Sequence, residues 1–133
     1  MQSDILLVMK MLKFLIPASL LSLVINIVIL LAVTQNYDWV KTRAAGGQFD
    51  DFPTAIRVIY FFMAILMVVL IYWLWDNRKG SLSQSKSRLA RIIGIVFVLS
   101  TITQLISQSA DERWNAIPAA ILAVTFLKLA KQK

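Results

Sequence analysis

The sequence predicts an all-α integral membrane protein with four transmembrane helices and both termini on the cytoplasmic side. Hydrophobic residues make up 59% of the 133-residue chain, above the roughly 45–50% apolar content of soluble domains. They form four long runs, and a bilayer-spanning helix needs about 20 apolar residues. Lys and Arg cluster between the second and third runs, which indicates the orientation. We therefore expect one four-helix transmembrane domain over residues 1–133.

The first predicted span covers about residues 12–33. Residues 1–13 are mostly apolar but include Lys10 and Lys13. We therefore expect an interfacial helix whose lysines reach the inner membrane surface. The apolar run is longer than the roughly 7–15 residues of a signal peptide, and no A-x-A site follows. We expect an uncleaved anchor. Pro17 falls in the first turns of this span, where its missing N–H costs little.

An outer loop is predicted over residues 34–55. Gly46, Gly47 and Pro53 break any helix there. Aromatic side chains are enriched where proteins meet lipid head groups, so we expect the loop to lie against the membrane surface. The aromatic residues that carry this expectation are Tyr37, Trp39, Phe49 and Phe52.

Three further spans are predicted at about residues 56–75, 89–107 and 114–130, with a basic cytoplasmic loop at 76–88. The second span is apolar on every face and ends in aromatic residues, which is typical of a helix end at a membrane interface. Segment 76–91 contains five cations: Arg78, Lys79, Lys86, Arg88 and Arg91. The fourth span is short, but Lys128 and Lys131 extend it by snorkelling.

The distribution of charge tests this topology. The predicted inner side holds ten cations: Lys10, Lys13, the five of segment 76–91, Lys128, Lys131 and Lys133. The predicted outer side holds four: Lys41, Arg43, Arg57 and Arg113. Short loops rich in Lys and Arg stay in the cytoplasm, so the bias of ten to four favours cytoplasmic termini.

Residue types that are absent exclude several function classes. The chain has no cysteine and no histidine, which excludes disulfides, thiol redox centres, His-ligated haem and the usual zinc sites. The cations lie at the predicted membrane edges, so the net charge of +7 indicates contact with anionic lipid on the cytoplasmic side rather than with nucleic acid. We expect no cofactor, no metal, no catalytic residue and no enzymatic activity.

The third span carries a polar face. Ser100, Gln104, Ser107 and Gln108 are spaced i, i+4, i+7 and i+8, which places them on one side of a helix. Asn26 lies at a comparable depth in the first span. Three interpretations remain open: hydrogen bonding between helices, a surface for a partner, and a ligand or ion pathway that opens outward between the helices.

Charged and small residues near the fourth span have simpler interpretations. Arg57, Asp111, Glu112 and Arg113 are expected to be solvated or to form weak surface ion pairs at the outer edge. An acidic residue before the fourth span suits a helix N-terminus, so Asp111 or Glu112 is expected to cap it. The alanines at 116, 119, 120 and 123 follow the small-xxx-small pattern, which favours close helix packing within the chain or between copies.

These features predict a small multi-pass protein of a bacterial inner membrane. The first hypothesis is an accessory, regulatory or immunity-type subunit that contacts another membrane protein through its helix faces and outer loop. The alternative is a homo-oligomeric transporter or channel with an outward-opening polar pocket. The candidate partner or pocket residues are Asn26, Trp39, Phe49, Phe52, Arg57, Ser100, Gln104, Ser107 and Gln108.

Overall fold

The structure is a computed structural model that describes residues 2–131. It contains α1 (Gln2–Thr34), two short 3₁₀ turns (Asp38–Val40 and Ala45–Gly47), α2 (Thr54–Asp76), α3 (Gln84–Leu105), α4 (Ala110–Arg113) and α5 (Ala116–Lys131). No strand occurs within this part of the chain. Lys133, which the charge count includes, lies outside the described residues.

Four helical segments are long and apolar enough to cross a membrane: Leu6–Thr34, Thr54–Asp76, Gln84–Leu105 and Ala110–Lys131. Their outward faces are apolar, as for Phe62, which is 63% exposed in the middle of α2. Large exposed apolar surfaces on a monomer mark contact with a membrane or a protein. The predicted all-helical architecture with four membrane-capable helices is confirmed, and it is the architecture of a multi-pass membrane protein.

Helix α1 is longer than the sequence pattern predicted. It is one continuous helix of 33 residues, about 50 Å at 1.5 Å per residue, so no separate interfacial helix precedes the span. Pro17 consequently lies in its middle instead of its first turns. The helix ends in a Schellman motif, in which Asn36 adopts φ 58° and the Tyr37 N–H donates to the Ala32 carbonyl at 3.0 Å.

The basic loop is shorter than predicted, because α3 begins at Gln84 rather than near residue 89. Ser83 caps this helix by accepting a hydrogen bond from the Lys86 N–H at 3.3 Å. Lys86, Arg88 and Arg91 therefore lie on the first turns of α3. Segment 77–83, which we call the basic turn, connects α2 to α3.

The helices pack side by side in the order α2, α1, α5, α3. Buried hydroxyl groups join them: Ser19 on α1 donates to Thr125 on α5 at 2.6 Å, and Ser87 on α3 donates to the Ala130 carbonyl. Helix α5 lies between α1 and α3 and is the most enclosed of the four. Its alanines at 116, 119 and 123 are buried, so these small residues serve packing within the chain.

The main core lies toward the basic turn. The Phe126 ring stacks on Phe97 at 6.0 Å between centroids and lies 5.7 Å from Trp73. These rings come from α5, α3 and α2, so they fill the space between the two outer helices. The end of the molecule with the basic turn is called the basic end, and the opposite end the loop end.

The loop between α1 and α2 has a small core of its own at the loop end. Val40, Ala44 and Phe52 are buried against the last turn of α1. The side chain of Asn36 holds the two ends of the loop together: its Oδ1 accepts from the Phe52 N–H at 3.0 Å and its amide donates to Asp51 at 3.2 Å. The loop is thus a folded layer rather than a loose connection.

Candidate functional site

A cavity of about 110 Å³ lies between the helices near the loop end. All four long helical segments and the α1–α2 loop contribute to its wall. The polar and charged residues of the wall are Asn26, Arg43, Tyr60, Ser100, Gln104, Glu112 and Asn115. A single water needs roughly 10–15 Å³ of such space, so the cavity has room for several waters or for a small solute.

Three of the residues singled out from the sequence line this cavity together. Ser100 and Gln104 lie one turn apart on α3, and Asn26 lies on α1. No hydrogen bond joins any of the three side chains to a neighbouring helix in the described residues, and the interhelical hydroxyl bonds are made instead by Ser19, Thr34 and Ser87. Ser100 and Gln104, the first two residues of the predicted polar face, thus line a cavity instead of bonding directly to another helix.

Gln104 contains an unsatisfied polar atom. Its side-chain oxygen Oε1 is buried and is the one such atom without a hydrogen-bond partner in residues 2–131. A buried acceptor without a partner costs about 1–3 kcal/mol. Gln104 is one of the residues that line the cavity, and a donor that reaches its Oε1 from there would remove this cost.

Glu112 brings a carboxylate to the same cavity, which the sequence analysis missed. Its side chain is buried, with 8% of the residue exposed, and Oε2 accepts a hydrogen bond from the Gly46 N–H. Asp111 or Glu112 was expected to cap the fourth span. Both acids lie in the first turn of α4, but the capping side chain is that of Ser109, whose hydroxyl accepts from the Glu112 N–H at 3.4 Å. The Ser-x-x-Glu spacing of Ser109 and Glu112 is typical of a helix start, but nothing in it indicates that a loop 66 residues earlier covers the carboxylate.

Loop segment 42–46 closes the cavity at the loop end. The Thr42 hydroxyl donates to Asp111 at 2.6 Å, the Asn115 amide donates to the Arg43 carbonyl at 2.9 Å, and the Ser109 hydroxyl donates to the Thr42 carbonyl. We call this set of bonds, with the Gly46–Glu112 bond, the loop–turn contact. It joins the α1–α2 loop to the segment between α3 and α5, so the wall of the cavity depends on both.

Toward the basic end the cavity is blocked. Phe97 and Met67 line the cavity at this end. Phe97 also belongs to the main core, and Met67 packs against that core. The stacked rings of Phe97 and Phe126 fill the space beyond. Within the described residues the cavity is therefore blind and does not continue as a pore.

The other polar candidates lie away from the cavity. Arg57 donates from Nε to the Thr34 carbonyl at 2.8 Å, so it caps the C-terminus of α1 and neither lines the cavity nor forms an ion pair. The Ser107 hydroxyl accepts from the Ser109 N–H at 3.1 Å. Gln108 is exposed. Gln108 was expected to share a helix face with Gln104, but it lies outside the cavity because α3 ends at Leu105.

The aromatic candidates of the loop have different environments. Trp39 is 50% exposed, whereas only 4% of Phe52 is exposed. Phe49 is half-buried and lies 6.2 Å from Phe52 between ring centroids. The Phe52 ring is used in the core of the loop and is not presented at the surface. Tyr37, at 55% exposed, and Trp39 are the loop aromatics that lie open at the surface.

No protein-family model matches the chain, and neither the curated proteins nor the solved structures contain a significant match to it.

Proposed function

We propose that this chain is a small multi-pass membrane protein that binds a small polar solute in the cavity lined by Asn26, Ser100 and Gln104. The observation that carries the proposal is the buried, unpartnered Oε1 of Gln104 beside that cavity. Buried polar groups in proteins are almost always satisfied by protein, water or a ligand. A solute with N–H or O–H donors satisfies this atom.

The charges of the wall narrow the class of solute. One acidic and one basic residue, Glu112 and Arg43, line the same cavity. A zwitterion of about the size of glycine would meet both charges, and a monovalent cation would meet the carboxylate and the free oxygen of Gln104. Because the cavity is blind, binding followed by a rearrangement of the loop–turn contact fits the geometry better than conduction through an open channel.

The orientation that we propose places the basic end in the cytoplasm and the cavity toward the outside. The support for it is the distribution of Lys and Arg among the described residues, with nine on the side of the basic end and four on the side of the loop end. A solute would then enter from the side of the loop.

A ligand-induced shift in thermal stability tests the proposal. The protein would be purified, placed in lipid nanodiscs and heated with glycine, ethanolamine, Na⁺ or K⁺. A ligand that binds only the folded state stabilises it, by about 2.7 kcal/mol at one hundred times its Kd. We expect at least one probe to raise Tm for the wild type and not for Gln104→Leu.

Gln108→Leu is the matched control. It makes the same chemical change four residues later, beyond the end of α3, at an exposed position outside the cavity, so the rise in Tm should persist. Two results would contradict the proposal: no probe raises Tm of the wild type, or both variants lose the rise equally.

A second function, an accessory or immunity-type subunit, rests on a different observation. Helix α2 packs mainly on α1, and only 6% of its most apolar window is buried. Trp39 and Gln108 are exposed at the loop end, where a membrane partner would reach them. Affinity purification from native membranes followed by intact-mass analysis distinguishes the two functions. A stoichiometric partner lost in Trp39→Ala or Gln108→Leu, and kept in Gln104→Leu, would support the subunit.

A further inference from the structure

A second concave site lies at the opposite end of the molecule. It is a groove of about 600 Å³ between the first half of α1 and the end of α2. Met9, Leu12, Ile16, Pro17 and Leu20 line it from α1, and Trp75 lines it from α2. Its volume falls in the roughly 300–1,000 Å³ range of sites for drug-sized ligands. We call it the basic-end groove.

The length of the groove matches one leaflet of a bilayer. Leu20 follows Met9 by eleven residues on α1, which corresponds to about 16 Å along the helix axis at 1.5 Å per residue. The hydrocarbon core of a bilayer is about 30 Å thick, so each leaflet contributes about 15 Å. An acyl chain that lies along α1 would fill the groove from the membrane surface to the bilayer centre.

Cations surround the groove. Lys13, Arg78 and Lys79 belong to its wall, and no acidic residue does. The Arg78 guanidinium lies 4.0 Å from the centre of the Trp75 ring, and its Nη1 donates to the Trp75 carbonyl at 2.6 Å. These two contacts hold the guanidinium at the end of α2 and leave other N–H donors free, since an arginine has five.

We propose that the basic-end groove is a specific site for one anionic glycerophospholipid. An acyl chain occupies the apolar wall, and the phosphate is bound by Arg78, Lys79 and Lys13. Guanidinium groups bind phosphate through paired, charge-assisted hydrogen bonds. This site is separate from the polar cavity, and its occupancy does not depend on the solute-binding function.

Lipid retention in native mass spectrometry tests the site. The full chain would be reconstituted in nanodiscs with equal amounts of phosphatidylglycerol and phosphatidylcholine of identical acyl chains, then released in the spectrometer. We expect one phosphatidylglycerol to stay bound. Each cation near an anionic lipid contributes about 1 kcal/mol, a factor of about five, so the double variant Arg78→Gln/Lys79→Gln should lower the preference for phosphatidylglycerol by about 25-fold.

Two matched variants separate a specific site from general attraction. Lys86→Gln/Arg88→Gln removes the same charge from the same end of the molecule, at exposed positions outside the groove, and should leave retention unchanged. Met9→Trp fills the groove without changing charge and should reduce retention, whereas Leu21→Trp, at an exposed position outside the groove, should not.

Three results would overturn the inference. Equal losses in the two double variants would show attraction to surface charge alone. Equal retention of phosphatidylcholine would show an apolar groove without head-group selection. Displacement of the lipid by millimolar inorganic phosphate, with no effect of Met9→Trp, would show a phosphate site in which the acyl chain takes no part. Circular dichroism of each variant checks that the helices remain folded.

Discussion

Among single residues, unusual backbone geometry is concentrated where the α1–α2 loop meets the segment before α5. Ala45, Gly46 and Gly47 all have positive φ, at 51°, 72° and 68°, a region that costs L-residues with a Cβ about 1–2 kcal/mol. This left-handed turn presents the Gly46 N–H to the Glu112 carboxylate. The strained turn therefore positions the donor that holds the buried acid at the cavity.

Gly47→Ala should destabilise the protein more than Gly46→Ala. A Cβ at Gly47 would lie 2.9 Å from the Cβ of Ser109, whereas a Cβ at Gly46 would meet nothing within 4 Å. Both substitutions place alanine at a positive φ, so we expect a loss of about 1 kcal/mol for Gly46→Ala and about 2–4 kcal/mol for Gly47→Ala. Reversible unfolding in mixed detergent micelles measures both, and equal losses would contradict the expected clash.

The ion pairs of the loop predict a second residue-scale result. The Lys41 ammonium lies 2.8 Å from Asp38 and 3.0 Å from Asp51. Hydrogen bonds from Lys41 and then Asn36 lower the pKa of Asp51 below its ordinary 3.8, and hydrogen bonds to Asp38 and then Asp51 raise the pKa of Lys41 above 10.5. The contacts of Lys41 with the two aspartates therefore stabilise the loop at pH values between 3.8 and 10.5. It is lost as pH falls through the lowered pKa of Asp51 or rises through the raised pKa of Lys41.

Carboxyl-carbon NMR in micelles measures this shift directly. Asp51 should titrate below 3.8 in the wild type and move back toward 3.8 in Lys41→Gln, because its principal donor is gone. Lys79→Gln, at the basic end, removes the same charge and should leave Asp51 unchanged. An unchanged titration of Asp51 in Lys41→Gln would mean that the contact does not form in solution.

Among the helices, α3 approaches α5 closely at Gly94. A Cβ added to Gly94 would lie 2.7 Å from the Leu127 Cγ and 3.2 Å from the Leu127 backbone nitrogen. Small residues let helices approach closely in membranes. The small-xxx-small spacing of the α5 alanines is visible in the sequence, whereas a single glycine in an apolar run, such as Gly94 on the facing helix, forms no periodic pattern.

Gly94→Ala should separate α3 from α5 and cost about 1–3 kcal/mol, since an extra methyl group in a packed interface forces the helices apart. Ile95→Ala is the control: Ile95 is 49% exposed on the outer face, and its loss should cost little because lipid is as apolar as the side chain. Steric trapping of unfolded protein in bicelles measures both. A larger loss for Ile95→Ala than for Gly94→Ala would contradict this packing.

The existence of the helices was easier to predict from sequence than their ends. Length and hydropathy predict a spanning helix, because the bilayer demands about 20 apolar residues. The ends depend on local hydrogen bonds instead. Ser83 starts α3 within a segment that its charges assigned to a loop, and Asn36 ends α1 through its positive φ. Both residue types are common at helix ends, but that preference alone does not select one position among several.

For the molecule as a whole, the candidate site was predictable in part. Periodicity placed Ser100 and Gln104 on one face of α3, and a comparison of depths placed Asn26 beside them. Glu112 was missed because its burial depends on the loop–turn contact, a tertiary arrangement with no local pattern. Gln108 and Arg57 were included because helical spacing and charge do not show where a helix ends or which carbonyl a guanidinium caps.

The proposed orientation is testable because the chain contains no cysteine. Gln48 lies exposed in the α1–α2 loop and Ser85 lies exposed at the start of α3, so Gln48→Cys and Ser85→Cys report on opposite ends. In intact cells a membrane-impermeant maleimide should label Gln48→Cys, and should label Ser85→Cys only after permeabilisation. A permeant maleimide that labels both variants is the control for reactivity.

The reverse pattern would place the basic end outside and contradict the positive-inside distribution. It would also direct the polar cavity toward the cytoplasm and the basic-end groove toward the outer leaflet. Anionic lipids are most abundant in the cytoplasmic leaflet of many membranes, so the lipid preference of the groove and the labelling pattern should agree. Labelling of both positions from one side would contradict the four-span arrangement itself, because an odd number of crossings separates Gln48 from Ser85.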